Sequence, residues 1–307
     1  MLNLWRMKLL LDVSNLGTMS AVAQAAHLTR PAVSQHLTQL EREVGFTLFE
    51  RVPRGVRLTE AGERLANSAR ELLAHVETIE ADLASLRDRP TGPVRIAAFG
   101  SFAMSVAPQL IALLQKNYPD LEPFFTELEP TEAKRGILSN SVDVAVIDDL
   151  VDAQSSAGSL DYFPLAVDEF CLAVAADHRL AQAPKNGPAP VELAELAEEN
   201  WVINESSGAY YDYIVNACRQ AGFNPRVVCS CQSSAAALRF VQSGWAISLV
   251  PGLTASSPTE DIVYRRINPT LNRKITAAVA KGSSKRPGIA ASLHALHEVT
   301  PGEVESD

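Results

Sequence analysis

The sequence lacks the motifs that mark common enzyme and cofactor-binding classes. It contains no GxGxxG, GxxxxGK, HExxH or GxSxG pattern, which excludes the usual phosphate loops, zinc-protease helices and serine-nucleophile turns. The six histidines form no cluster with Cys or acidic residues suited to catalysis or metal binding; they are His27, His36, His75, His178, His294 and His297. We therefore expect neither enzymatic activity nor a cofactor.

Cysteine is also scarce. The four cysteines, Cys171, Cys218, Cys229 and Cys231, show no CxxC spacing, which argues against a zinc site. Cys229 and Cys231 lie in the extended run VVCSCQ, where alternate side chains share a face, so a disulfide between them would be strained. The cysteines are interpreted as small buried side chains in a reducing cytoplasm. A redox or thiol sensor acting through Cys229 and Cys231 is the alternative.

Long apolar runs are absent. A membrane-spanning helix needs roughly 20 apolar residues, and the longest candidate, Leu9–Val13, is far shorter. The N-terminal residues show no signal-peptide pattern, because an apolar helix pattern containing Arg6 and Lys8 follows Met1 almost at once. We expect a cytoplasmic protein with no membrane partner.

The charge is distributed unevenly along the 307 residues. A net charge of −9 by itself argues against a nucleic-acid partner. However, residues 1–58 hold seven Lys and Arg against four Asp and Glu, a local charge of +3, and the remainder carries −12. A basic end on an acidic body is typical of a DNA-binding segment joined to a separate sensing module. The length allows about two or three domains.

Residues 18–42 predict two short helices joined by a tight turn. Ser20 is a suitable N-cap for the Ala-rich first helix. Thr29 is the expected cap of a second helix that begins at Arg30. The early Pro31 is tolerated there because its missing N–H needs no intrahelical partner.

The second helix is predicted to have one buried and one exposed face. Four apolar residues recur at steps of four, three and four and share a buried stripe; they are Val33, Leu37, Leu40 and Val44. The opposite face carries hydrogen-bonding side chains without carboxylates, namely Arg30, Ser34, Gln35 and Thr38. Such side chains suit base edges and phosphates. An ordinary two-helix corner would give the same periodicity and remains an alternative.

The next stretch predicts a wing beside this helix pair. Apolar Phe46, Leu48 and Phe49 anchor it, and Pro53 with Gly55 breaks the helix pattern. Three arginines cluster on the short loop, namely Arg51, Arg54 and Arg57. An Arg carried by such a loop can enter the minor groove of DNA, although a solvated loop is the alternative.

Thr59 is the expected cap of a long helix that runs to about Arg87. Its apolar residues follow heptad steps over three repeats; they are Leu65, Ala69, Leu72, Val76, Ile79, Leu83 and Leu86. A helix cannot bury such a narrow seam on itself, so we expect it to pair with the same helix of a second chain. The residues assigned to dimerisation are Leu65, Leu72, Val76, Ile79 and Leu83. A dimer would present two reading units to two related half-sites.

After a short linker at residues 88–93, strands and helices alternate. The predicted strands are 94–99, 121–128, 142–147, 170–175, 201–204, 226–230, 246–250 and 274–280. The predicted helices are 102–117, 132–138, 210–221, 235–242 and 288–298. This alternation predicts a mainly parallel α/β sheet. The first group of alternating elements, which ends at strand 142–147, is one helix short of a closed unit. The last strand and helix should therefore return to it. Two lobes would result, hinged near Val167 and Pro269.

The most specific family resemblance spans residues 23–62 and reads AQAAHLTRPAVSQHLTQLEREVGFTLFERVPRGVRLTEAG. It resembles the DNA-binding end of LysR-type transcriptional regulators. The matching positions are Ala23, Pro31, Ser34, Leu37, Leu40, Glu41, Gly45, Leu48, Phe49, Arg51, Leu58, Thr59 and Gly62. The strand after Pro93 and residues 235–251, ending GWAISLVP, agree more loosely, so the resemblance covers essentially the whole chain.

The resemblance implies an overall α/β architecture in three parts. These are a winged helix-turn-helix domain (1–58), a dimerisation linker helix (59–89) and a two-lobed effector-binding domain (90–307) similar to periplasmic binding proteins. Lobe I is expected at about 93–166 plus 269–300, and lobe II at about 167–268. The implied partners are double-stranded promoter DNA and copies of the chain itself as a dimer of dimers, with RNA polymerase as a further candidate. A pure solute-binding protein is the rival, which the wing and the missing signal peptide argue against.

The resemblance also assigns DNA contacts residue by residue. It places base contacts at Arg30, Pro31, Ser34 and Gln35, and a minor-groove contact at Arg54. Together with the exposed helix face and the wing, the predicted DNA-binding residues are Arg30, Pro31, Ser34, Gln35, Thr38, Arg51 and Arg54. Arg30 stands where the family more usually has Gln. Its guanidinium could form two hydrogen bonds to one guanine, whereas Gln would favour adenine. A phosphate contact by Arg30 is the equal alternative.

In such two-lobed domains the effector lies between the lobes, where helix N-termini point inward. Hydroxyl groups at these points suit a small carboxylate, whereas Asp148 and Asp149 could hold an amine, so an amino-acid-like effector would reconcile both charges. Plain N-capping by serine is the alternative. The predicted effector-binding residues are Ser101, Phe102, Thr126, Asp149, Ser206, Ser207, Gln232 and Ser233.

Overall fold

A computed structural model of the protein describes residues 2–52, 55–85, 89–150, 158–182, 189–205, 208–256 and 259–300. The N-terminal part contains four helices and a two-stranded antiparallel ribbon. Their bounds are α1 Leu4–Leu16, α2 Met19–Ala25, α3 Arg30–Val44, β1 Phe49–Val52, β2 Gly55–Leu58 and α4 Glu60–Ser85. None of the helices in the described ranges has the length and apolar character needed to cross a membrane.

Threonine side chains set the starts of α2 and α3. Thr18 Oγ1 accepts the N–H three residues on at 3.2 Å, and Thr29 Oγ1 does the same at 3.3 Å. The predicted cap at Thr29 and helix start at Arg30 are therefore confirmed. The predicted cap at Ser20 is wrong, because Thr18 occupies that position and Ser20 lies inside the helix. Gly17 ends α1 in a left-handed backbone conformation.

The N-terminal helices enclose a single apolar core. Its main members are Met7, Leu9, Leu10, Val13, Val22, Val33, Leu37, Leu40, Leu48, Ala66 and Ala69. The stripe predicted for α3 is confirmed at Val33, Leu37 and Leu40, which are 0% exposed, while Val44 at the helix end is half-buried. Burial of each such side chain stabilises the fold by about 1.5–3 kcal/mol. This stripe fixes which face of α3 points outward.

The start of α4 is fastened to the segment just before the ribbon. Thr59 caps the helix as predicted, since its Oγ1 accepts the N–H of Gly62 at 3.1 Å and donates to the carbonyl of Thr47 at 2.7 Å. A Cβ atom at Gly62 would lie 1.9 Å from the carbonyl oxygen of Leu48, which no side chain can do. Glycine therefore lets the helix contact the backbone just before β1 directly.

The C-terminal part consists of alternating strands and helices. The strands are β3 Gly92–Ala98, β4 Leu121–Glu127, β5 Val144–Asp148, β6 Leu160–Ala175, β7 Val191–Glu192, β8 Asn200–Asn204, β9 Arg226–Cys231, β10 Ser248–Pro251, β11 Ile262–Arg265, β12 Ile267–Asn268 and β13 Asn272–Ala280. The helices are α5 Gly100–Ser105, α6 Ala107–Asn117, α7 Pro130–Leu138, α8 Gly208–Gln220, α9 Ser234–Gln242, α10 Gly252–Ala255 and α11 Pro287–Val299.

The single helix predicted over 102–117 is wrong, because it is divided at Val106 into α5 and α6. Pro108 stands in the first turn of α6. Proline lacks the N–H for an i→i−4 bond and its ring clashes with the preceding turn, so a continuous helix cannot pass through it. The break turns α5 into a separate short helix at the end of β3.

The central sheet has the strand order β10-β6-β13-β5-β3-β4, with β11 also paired to β6. Strands β3, β4 and β5 are parallel, whereas β13 runs antiparallel to both β5 and β6. The sequence predicted a mainly parallel sheet. That prediction is wrong for the central sheet, in which β13 is antiparallel to both of its neighbours. The predicted return of the last strand and helix is confirmed, since β13 pairs with β5, and Leu296 of α11 shares a core with Leu110 of α6.

Strand β6 belongs to both lobes. Residues 160–169 pair with β13 in the first lobe, and residues 170–175 pair with β10 and β11 in the second. The sequence predicted only 170–175 as a strand, because Asp161, Pro164 and Asp168 interrupt the apolar pattern earlier in β6. In the second lobe, β8 and β9 are parallel, and Trp201 on β8 is 0% exposed in the core beneath α8.

The first lobe packs against α4 through a charged loop. Arg286 Nη2 lies 2.7 Å from carboxylate oxygens of both Glu77 and Glu80. Burial raises the pKa of Glu77, although Arg286 lowers it. Gly282 has φ +81°, and a Cβ there would lie 2.5 Å from Thr78 Oγ1 on α4. The loop before α11 therefore contacts the long helix closely.

Candidate functional site

The outward face of α3 carries the residues expected to contact DNA. Arg30, Pro31 and Gln35 are exposed, and Ser34 and Thr38 are half-buried. Within the described part of the chain, Arg30 forms no ion pair. The buried stripe on the opposite side holds the helix against α1 and α2, so this polar face is presented rigidly.

The ribbon β1–β2 occupies the place of the predicted wing and contacts α1 and α4. The N–H of Val56 donates to the carbonyl of Gly17, 3.4 Å away, which attaches the ribbon to the end of α1. Arg51 lies in β1 opposite Val56. Arg54 lies outside the described residues. Arg57 pairs with Glu50 at 3.3 Å across the ribbon, so this third arginine is already balanced.

A cavity of about 230 Å³ lies between the two lobes. The carboxyl ends of strands and the starts of helices meet there. The polar wall of the first lobe consists of Ser101, Glu127, Glu129, Asp148 and Arg273. The polar wall of the second lobe consists of Asn204, Tyr210, Gln232, Ser233 and Ser234. A ligand in this cavity would therefore contact both lobes at once.

Arg273, at the start of β13, is the centre of a buried ion network. Its Nε and Nη2 donate to Asp168 Oδ2 at 3.0 and 2.8 Å, and its Nη1 donates to Asp148 Oδ2 at 3.1 Å. Nη2 also donates to Ser101 Oγ at 2.6 Å. The guanidinium carbon lies 4.4 Å from the ring centroid of Phe99. One guanidinium thus serves two carboxylates, and it can balance the charge of only one of them when both are ionised.

Asp148 is the unsatisfied member of this network. Its side chain is 6% exposed, and its Oδ1 is buried and accepts no hydrogen bond from any described residue. Burial raises the pKa of Asp148, while Arg273 and the nearby N–H of Leu150 lower it. A buried polar atom without a partner is uncommon in proteins and calls for an explanation.

The structure brings three of the predicted effector residues to the cavity wall, namely Ser101, Gln232 and Ser233. Ser101 Oγ accepts a hydrogen bond from Arg273. Ser233 Oγ accepts the N–H of Ala236, so it also caps α9, as the alternative interpretation holds. The predicted Ser206 and Ser207 lie outside the described residues.

The prediction for Phe102 is wrong. This ring is 0% exposed within the core of the first lobe, because successive residues of a helix point about 100° apart, and Gly100, Ser101 and Met104 are the residues of α5 that face the cavity. Thr126 is half-buried and is not part of the cavity wall. Asp149 is also absent from the wall; it is exposed and accepts the N–H of Lys274 at 2.8 Å.

Sequence reasoning missed Arg273 and Asp168. The two residues are 105 positions apart, and Arg273 and Asp148 are 125 apart, so no local motif could associate them. The one available signal was that Asp148 ends a buried strand. Among the described residues, no group of three or more His, Cys, Asp or Glu side chains is placed to hold a metal ion.

Two family models cover nearly all of the chain. Residues 4–63 match the bacterial regulatory helix-turn-helix protein of the lysR family, and residues 87–301 match the LysR substrate binding domain. This protein belongs to the LysR family of transcriptional regulators. It is a DNA-binding regulator and not an enzyme, as the sequence predicted.

Relatives and solved structures agree with this assignment. YvbU, a helix-turn-helix regulator of Bacillus subtilis, is 24% identical over 291 residues, which is 94% of each chain. OxyR of Escherichia coli K12 is 26% identical and covers 86% of this chain and 85% of its own. A full-length OxyR variant of Pseudomonas aeruginosa has a similar fold, with a TM-score of 0.70 at 18% identity over 100% and 99% of the two chains. Full-length CbnR, solved with its target DNA, has a TM-score of 0.57 at 23% identity over 98% and 100%.

The long helix of this LysR-family regulator has an exposed apolar side. Leu72 is 47% exposed, Ile79 48% and Leu83 63%. The other two predicted dimerisation residues are more enclosed, because Leu65 packs against the N-terminal core and Val76 lines a cleft beside α1 and the first lobe. One side of the helix therefore packs against its own chain, and the other side is left exposed.

The cysteines of the regulator are all free thiols. Cys229 and Cys231 share one face of β9, with their Sγ atoms 3.7 Å apart. Burial and, to a lesser degree, the neighbouring Cys229 together raise the pKa of Cys231 to about 11. Burial also raises the pKa of Cys218 to about 12. Neither of these two thiols is activated as a thiolate near neutral pH.

Proposed function

We propose that this regulator reads double-stranded promoter DNA with α3 and the wing, and that a small metabolite bound between its lobes controls that binding. The observation that carries the second part is the cavity, whose polar wall comes from both lobes and surrounds the Arg273 network. A ligand that contacts both lobes favours one arrangement of them over others. The sequence predicts either a small carboxylate or an amino-acid-like compound as the effector, and the acidic groups of the wall favour the second of these classes.

We further propose that the regulator acts as a dimer and as a dimer of dimers. The uncovered apolar side of α4 supports pairing of two chains, which would place two copies of α3 on neighbouring half-sites. CbnR, a protein of the same fold, has been solved with its target DNA. RNA polymerase is a further partner that this arrangement could contact at a promoter.

The DNA-binding residues can be tested by alanine substitution. We expect Arg30→Ala and Ser34→Ala each to weaken operator binding by about 1–3 kcal/mol, because each removes a side chain assigned to base or phosphate contact. Fluorescence anisotropy with the DNA upstream of the gene, at two salt concentrations, measures the change.

The matched control is Arg239→Ala, which removes an exposed arginine from α9 in the second lobe. This variant should bind operator DNA as the wild type does. If Arg30→Ala and Ser34→Ala also leave the affinity unchanged, the assignment of α3 as the reading helix is wrong.

A second candidate function is thiol-based sensing, which the 3.7 Å contact between Cys229 and Cys231 favours. Relatives at 26% identity are named hydrogen peroxide-inducible genes activators. In this chemistry peroxide would take two electrons and two protons from the thiols, giving one S–S bond and two waters. The raised pKa of Cys231 opposes it, because the thiolate is the reactive form.

Brief peroxide treatment followed by mass spectrometry tests this candidate. A sensor should lose about 2 Da in the peptide that carries both cysteines, and Cys229→Ser should abolish the loss. Cys171→Ser is the control, since that thiol lies on a different strand, β6, and should leave the loss intact. Retention of both thiols in the wild type would rule the candidate out.

A further inference from the structure

The cavity between the lobes is acidic. Its described wall contains three carboxylates, Glu127, Glu129 and Asp148, against one cation, Arg273. A further carboxylate, Asp168, lies directly behind Arg273 and takes two of its hydrogen bonds. In a partly enclosed site such charges act strongly on a ligand, so an anion would be repelled and a cation attracted.

Arg273 is not available to offset this charge. Its Nε, Nη1 and Nη2 all donate to groups of the protein, and its side chain is 4% exposed. These bonds use four of its five N–H groups, so a ligand carboxylate could take at most one N–H of Nη1 without competing with Asp148, Asp168 or Ser101. The arginine therefore serves to hold the two aspartates and does not form an open anion site.

The unsatisfied oxygen of Asp148 indicates which chemical group a ligand must supply. Oδ2 is bonded to Arg273, whereas Oδ1 is buried and has no donor in the described part of the chain. A ligand group that completes the network must donate a hydrogen bond to Oδ1. If that group also carries a positive charge, two carboxylates then face two cations and the buried network becomes neutral.

The opposite wall supplies neutral groups that can hold the rest of such a ligand. Gln232 and Ser233 lead into α9, where Ser233 Oγ accepts the N–H of Ala236. The N–H groups of Ser234 and Ala235 in the first turn have no intrahelical acceptor, as at any helix start. These donors could bind a carboxylate or hydroxyl of the same ligand, which would then connect the lobes.

We propose that the effector carries a protonated amine, and that Asp148 Oδ1 accepts its N–H in the cavity between the lobes. The inference rests on the proposed control by a small ligand and narrows the class of that ligand. A carboxylate without an amine is excluded as the effector. An amino acid and a simple amine can both donate to Asp148 Oδ1. They differ in that the carboxylate of an amino acid can also bind the N–H groups at the start of α9.

Thermal shift and calorimetric titration of the full chain test the proposal. The probes are the standard amino acids, putrescine, cadaverine and ethanolamine, compared at equal concentration with succinate, glutarate and propionate. At least one amine should stabilise the wild type, and the deaminated acids should not. Asp148→Asn should weaken binding of that amine by at least about 10-fold, because it removes the charge from the acceptor.

Asp149→Asn is the matched control, since it removes the neighbouring, exposed carboxylate and should leave the affinity within about twofold. Circular dichroism checks that Asp148→Asn is folded. As a second variant, Glu127→Gln removes an exposed charge from the cavity wall and should weaken binding by a few-fold.

Each other outcome overturns the proposal in a recognisable way. Binding of the deaminated acids but not of the amines would retain a ligand site between the lobes and reject the amine. Equal amine binding by Asp148→Asn and the wild type would reject Asp148 as the acceptor. Absence of binding by all amines and acids would reject both this inference and the proposed ligand control, even if operator binding is intact.

Discussion

Replacing Arg273 with alanine should lower the free energy of unfolding by about 3–5 kcal/mol. Asp148 and Asp168 are both buried, with side chains 6% and 4% exposed, and both depend on this guanidinium. Without it two carboxylates remain in a poorly solvated site with no cation between them. The contact of the guanidinium with Phe99 is lost at the same time.

The loss should depend on pH in a defined direction. Burial already raises the pKa of Asp148, and removal of the guanidinium removes the largest influence that lowers it. An acid whose folded-state pKa lies above its unfolded value destabilises the fold once the pH exceeds the unfolded value. The deficit of Arg273→Ala should therefore be greater at neutral pH than at a pH below the unfolded pKa of aspartate, where Asp148 is protonated in both states.

Urea unfolding of three further variants separates charge from packing. Arg57→Ala removes an exposed ion pair with Glu50 and should change stability by no more than about 1 kcal/mol. Arg273→Met keeps much of the side-chain volume and should be nearly as unstable as Arg273→Ala. Adding Asp148→Asn and Asp168→Asn to Arg273→Met should restore much of the lost stability, because no buried charge then remains. A deficit in Arg273→Ala as small as that of Arg57→Ala would contradict the role assigned to this network.

Introducing glutamate at both Leu72 and Ile79 should convert the proposed dimer into a monomer. These side chains are about half exposed within the chain and lie seven residues apart on one side of α4. Burial of each against a partner would contribute about 1.5–3 kcal/mol, so losing both should raise the dimer dissociation constant by roughly 100-fold or more. The monomer should remain folded, because neither residue belongs to the core of its own chain.

Sedimentation velocity over a range of concentrations measures this effect. Glu71→Lys is the control, since it changes the charge of an exposed neighbour outside the seam and should leave the dimer intact. Operator affinity should fall together with dimerisation in the double variant. A double variant that sediments as the wild type does would show that the chains associate through a different surface.

The N-terminal domain was the easiest part to predict, because its signals are local. Thr29, Pro31 and the stripe of Val33, Leu37 and Leu40 lie within a dozen residues of each other, and each defines a boundary or a face of α3. The error at Ser20 has a local cause as well. Thr18 and Ser20 are both good caps, and the left-handed turn at Gly17 brings Thr18 to the helix start first.

The cavity was predicted only in part, because its chemistry depends on long-range contacts. Ser101, Gln232 and Ser233 follow strand ends, a position that the rule for α/β folds identifies from sequence. Phe102 shows the limit of that rule, which locates a helix start but not the face of each residue. Arg273 had no signal at all, since its partners come from β5 and β6 and meet it only when the sheet is assembled.

Helix α4 connects these two parts, and its length has a mechanical consequence. Twenty-six residues extend about 39 Å at 1.5 Å per residue, with the C-terminal half held by Arg286 and the N-terminal end fixed to the ribbon at Gly62. A rotation at one end of the helix is therefore converted into a displacement at the other end. A rotation of about 5° at the end near the first lobe moves the other end by about 3.4 Å, the rise of one base pair. A small change in the angle at which the first lobe holds α4 would thus displace the N-terminal domain by about the spacing of one base pair.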